Sequence, residues 1–119
     1  MDETMRAFII LMKEAFSLAK SAHNCSFDDP ELGRKEDKLS ALSYAATCTA
    51  KYSAAEAIYW CNCDLAHSEL PELFTQFDTF THEIRTDYET NHSRQWVDIE
   101  FNRLEELFNN SVCSQSLKD

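Results

Sequence analysis

One glycine and two prolines punctuate 119 residues. Gly33 and Pro30 fall in the same short stretch, and Pro71 stands apart from them. A β-rich chain of this length needs many more residues that accept tight turns. Long periodic segments with so few breaks instead predict an all-helical domain. The length suits one domain around one core.

Apolar spacing divides the chain. Met5, Phe8, Ile9, Met12, Ala15, Phe16, Ala19 and Ala22 keep the three-and-four spacing of one helical stripe. They predict a first helix over residues 2–24, with Asp2 and Glu3 at the positive end of its dipole. Residues 25–38 read as a connection, with a turn at Asp28-Asp29-Pro30 and a short helical turn near Gly33. A second helix is expected over residues 36–66. Leu39, Leu42, Ala45, Ala46, Cys48, Tyr52, Ala55, Ile58 and Tyr59 make it apolar around most of its circumference, as suits the centre of a bundle.

A third helix opens near Ser68, Glu69 and Pro71 and carries Leu73, Phe74, Phe77, Phe80, Ile84 and Tyr88. It stops or kinks near Asn91-His92-Ser93. A fourth carries Trp96, Val97, Phe101, Leu104, Leu107 and Phe108. Residues 111–119 read as a loose tail. The expectation is one domain, a four-helix, up-and-down bundle with its core over about residues 5–110.

A formal net charge of −10 repels nucleic acid at long range and disfavours an anionic membrane surface. It suits docking on a basic partner. No apolar run reaches the roughly 18 residues that span a bilayer. The chain opens Met-Asp-Glu-Thr without a basic stretch, and Cys25, Cys48, Cys61, Cys63 and Cys113 form an odd set. A cytoplasmic chain with reduced thiols is the simplest expectation.

Two constellations carry possible chemistry. Arg85 and His92 lie seven positions apart, near two helical turns, so a continuous helix would present both on one face. A permanent cation would then neighbour a group that titrates near neutrality. Metal-free RNA cleavage needs that pair: His92 to take the 2′-hydroxyl proton and Arg85 to stabilise the phosphorane. Tyr88 shares their face, while Asp87 points elsewhere and holds Arg85 only if the helix distorts. A plainer reading pairs Arg85 with Glu89 and leaves His92 at a helix end. Second, Cys63 and His67 are placed to share a metal, but Cys61 points away and a structural zinc site needs four ligands. Core packing is the better account of these cysteines, and no metal or cofactor is expected.

These residues also carry a family resemblance. The Ala- and Tyr-rich second helix, with Tyr44, Ala45, Ala46, Ala50, Tyr52, Ala54, Ala55 and Ala57, resembles the central helix of the HEPN domain. Glu83-Ile-Arg-Thr-Asp-Tyr88 resembles that family's Arg-rich segment, and Arg85-x6-His92 is the long limit of its Arg-x4–6-His motif. Thr86 departs from the Asn, Asp or His common after that Arg. The resemblance implies a small helical bundle of toxin–antitoxin and defence systems, cleaving RNA across a dimer cleft when active and serving as a scaffold when not. The leading expectation is a homodimeric interaction or accessory module with a protein partner. A ribonuclease using Arg85 and His92 is one alternative, and a small acidic inhibitor or immunity-type protein is another.

Overall fold

A computed structural model describes residues 2–62, 69–90 and 94–114. Four helices account for most of them: α1 (Glu3–Asn24), α2 (Lys38–Cys61), α3 (Leu70–Thr90) and α4 (Arg94–Asn109). Among the described residues there is no strand, only an isolated bridge between Asp29 and Arg34.

Local chemistry sets the helix starts. Asp2 caps α1 by accepting from the Met5 amide at 2.8 Å. Asp37 caps α2 by accepting from the Ser40 amide at 3.1 Å. Hydrogen bonding to that amide is the main reason why the Asp37 carboxyl titrates below its usual range. The expected start of α2 at residue 36 thus moves two positions, because Asp37 satisfies an orphan amide better as cap than as helix interior. Between α1 and α2, Pro30–Leu32 forms a single 3-10 turn that closes on Gly33 at φ 69°. That left-handed conformation suits the residue without a Cβ.

Contacts between helices run in opposite chain directions at every neighbouring pair. Cys48 of α2 donates its thiol hydrogen to the Ala15 carbonyl of α1 at 3.2 Å. Tyr59 packs on Phe74, and Tyr52 on Phe77, along α2 and α3. Gln76 of α3 reaches the Glu100 carbonyl of α4 at 3.0 Å. Phe16 of α1 stacks on both Phe101 and Phe108 of α4, and His23, one end further along α1, reaches Asp98. The molecule is therefore an up-and-down four-helix bundle, as the periodicity predicts.

The core is aromatic where α1, α3 and α4 meet, and α2 closes it with Ala45, Cys48, Tyr52 and Ala55. Phe8, Phe77 and Phe80 are fully buried with Ile9, Met12, Leu73, Ile84 and Leu104. Stacked and edge-to-face rings add specificity to that burial. The expected loose tail does not begin at Ser111. Ser111 donates to the Phe108 carbonyl at 2.7 Å, and a 3-10 turn over Val112–Ser114 puts Cys113 in the core. The remainder of the expected tail lies outside the described residues.

α2 departs from its expected place. It buries one narrow stripe of Ala41, Ala45, Cys48, Tyr52 and Ala55, and its opposite face is open to solvent. Leu39 is 78% exposed and Trp60 67%. All-round apolarity here does not mark the bundle centre. Only half of it is used within the chain.

Candidate functional site

Arg85 lies on the exposed side of α3, three residues beyond His82. Two shallow depressions meet at it. One is lined by Thr75, Asp78, Thr79 and His82 along α3. The other lies between α2 and α3 and is lined by Leu42, Ala45, Ala46, Thr49 and Thr81. Among the described residues Arg85 forms no ion pair, and it does not take up the Glu89 carboxylate one turn away. His92 lies outside the described residues, as do Asn91 and Ser93. α3 is continuous through Thr90.

The polar wall beside Arg85 is held by α2. The Tyr52 hydroxyl donates to Asp78 Oδ1 at 2.5 Å and lies 3.4 Å from Thr81 Oγ1. Burial first, and then the Asp78 carboxylate, push the Tyr52 hydroxyl up to about 12. Tyr52 is therefore a neutral donor that fixes Asp78, not an acid or base. Thr86 Oγ1 lies 3.2 Å from His82 Nε2, which orients that ring along the helix. His82 is the described histidine nearest in sequence to Arg85 on this face. The sequence pattern that marks His92 gives it no emphasis.

Asp87 and Tyr88, expected to support Arg85, are gathered instead by a different arginine. Asp87 is 2% exposed, and its Oδ2 accepts from Arg94 at 3.1 Å. Arg94 also reaches Glu36 at 2.6 Å and lies 4.5 Å above the Tyr88 ring. Lys38 approaches that ring at 5.9 Å. Burial is the largest cause of the rise of the Tyr88 hydroxyl to about 12, which Arg94 opposes and Glu36 reinforces. The cluster joins the entry to α2, the end of α3 and the start of α4. Helix geometry separates the roles: Asp87 is two positions from Arg85, about 200° around, and so faces the interior.

The cysteines divide in the same manner. Cys48 and Cys113 are fully buried, and burial pushes both thiols up to about 12. Cys25 is raised by burial and by Asp37. These are packing thiols. Cys61 is exposed at the end of α2, so core packing does not account for it. Cys63 and His67 lie outside the described residues. Among the described residues no three His, Cys, Asp or Glu side chains stand close enough to hold a metal ion. No described helix is long and apolar enough to cross a membrane.

No family model, curated protein or solved structure matches the chain.

Proposed function

We propose that the chain is a HEPN-like helical module that works through protein–protein contacts, as a homodimer with a further protein partner, in the setting of a toxin–antitoxin or defence system. The observation that carries this reading is the uncovered apolar face of α2, with Leu39 and Trp60 exposed at its two ends. Large apolar side chains left open beside an alanine-rich surface mark a place of association. The charge of −10 acts against RNA as the partner. The test is the mass in solution by light scattering. A dimer is expected, and a strictly monomeric species that binds no apolar dye contradicts the reading.

A second reading rests on Arg85. An exposed guanidinium with no ion pair among the described residues, at the junction of two depressions, is available to a phosphate. In that reading His92 is the general base and Arg85 stabilises the phosphorane across a dimer cleft. Incubation with single-stranded RNA in the presence of a chelator decides it. Cleavage abolished by both Arg85→Ala and His92→Ala supports the ribonuclease; intact RNA supports the interaction module.

A further inference from the structure

We infer that the groove between α2 and α3 binds a small monocarboxylic acid, with the carboxylate on Arg85 and a short apolar chain along Leu42, Ala45 and Ala46. The inference is separate from the homodimeric reading and asks nothing of His92.

The first observation is what the groove leaves unpaired. Leu42, Ala45 and Ala46 of its α2 wall offer no hydrogen-bonding side chain. Its two hydroxyls are already engaged. Thr49 donates to the Ala45 carbonyl at 3.0 Å, and Thr81 donates to the Phe77 carbonyl at 3.1 Å. A hydroxyl has one proton, so neither has one left for an occupant. Arg85 is exposed at the Leu42 end and forms no ion pair among the described residues. A groove with one charged donor and apolar walls fits a ligand with one charged acceptor and an apolar body. The planar fork of the guanidinium matches a carboxylate in two parallel hydrogen bonds.

The second observation is the charge around that end. Lys38 is one turn before Leu42 and approaches the ring of Tyr88, which is three residues beyond Arg85. Two cations thus stand toward the same end of the groove. The acids nearby do not neutralise them: Arg94 holds Asp87 at 3.1 Å and Glu36 at 2.6 Å. The rest of a chain of net −10 repels anions. That field acts nearly twice as strongly on a phosphate, of charge about −1.5 to −2, as on a carboxylate. A single charge is therefore favoured.

The third observation is size. The groove holds about 280 Å³, at the lower edge of the roughly 300–1,000 Å³ of ligand pockets. That suits a chain of a few carbons. Its floor is preformed, because Thr81 is 1% exposed and lies 3.4 Å from the Tyr52 hydroxyl.

Titration of the ¹⁵N-labelled chain with octanoate, followed by amide chemical shifts, tests this. Saturable binding near the millimolar range is expected for about ten non-hydrogen atoms, with the shifts on both walls of the groove. Arg85→Gln is expected to weaken it about fivefold, and Ala46→Leu, which fills the groove, by as much. Lys20→Gln removes the same charge from the exposed side of α1 and should leave binding unchanged. Inorganic phosphate at equal concentration should not displace octanoate. Circular dichroism that is alike for all variants shows that folding is not the cause. Octanoate that does not bind, that binds Arg85→Gln as well as Lys20→Gln, or that phosphate displaces overturns the inference. None of these outcomes bears on the mass in solution, so the homodimeric reading is tested apart from it.

Discussion

α1 and α2 have nearly equal lengths, 22 and 24 residues, and opposite relations to their own sequences. α1 alternates apolar and polar faces, and its apolar stripe is the stripe it buries. α2 is apolar around most of its circumference and packs only about half of it on the core. In α1 the fold uses what the sequence offers. In α2 a second apolar face is left over, and in a chain so rich in charge that surplus is informative.

The contrast can be broken experimentally, and the core gives the largest effect. Phe77 is fully buried and stacks on Tyr52, the inner side of α2. Phe77→Ala is expected to destabilise by about 3–5 kcal/mol in urea unfolding. Next are two adjacent alanines, about 100° apart around α2. Ala45 is 2% exposed and Ala46 is open. Ala45→Leu should cost about 1–3 kcal/mol by overpacking. Ala46→Leu should stay within about 0.5 kcal/mol for the monomer. Equal losses would mean that the outer face is not free.

The two arginines divide likewise. Arg94→Met removes the guanidinium that pairs with the buried Asp87 carboxylate. After allowance for the partial exposure of Arg94, a loss of about 1–2 kcal/mol is expected in the same measurement. Arg85→Met should change stability by less than about 0.5 kcal/mol. The smallest effect is a slope with pH. Burial lowers the His23 pKa below 6.5, against the raising influence of the Asp98 hydrogen bond, with Arg34 and Glu105 nearby. The unfolded chain then binds the proton more tightly than the folded one. Stability is whole above pH 6.5 and is lost as the pH falls from there through the lower folded-state value. His23→Gln should flatten thermal stability between roughly pH 6.5 and 5.5, where an unperturbed histidine titrates.

Much of the fold is legible before any coordinates. The stripe from Met5 to Ala22 has one apolar solution, and α1 adopts it. Pro71 and Gly33 mark their boundaries because few conformations suit them. α2 is less legible: periodicity tells how apolar a face is, not whether its cover comes from the same chain. Cys113 shows a related blindness. A short polar segment after a helix reads as tail, and only three-dimensional placement puts one thiol into the core. The site is the least legible part. Spacing puts Tyr88 on the face of Arg85 and turns Asp87 away, but it does not show that Arg94, at the start of α4, gathers both from seven and six residues further on. Long-range pairing of that kind leaves no mark on local spacing.

The central claim is that the uncovered face of α2 is where a second copy sits. It is tested most directly by cysteine cross-linking in a background with Cys61 and Cys63 replaced by serine. Ala50→Cys is expected to give a covalent dimer on mild oxidation, because Ala50 lies midway along the uncovered face. Asn102→Cys, on the exposed face of α4, is expected to give none. A covalent dimer from Asn102→Cys as readily as from Ala50→Cys, or none from Ala50→Cys, would contradict the claim.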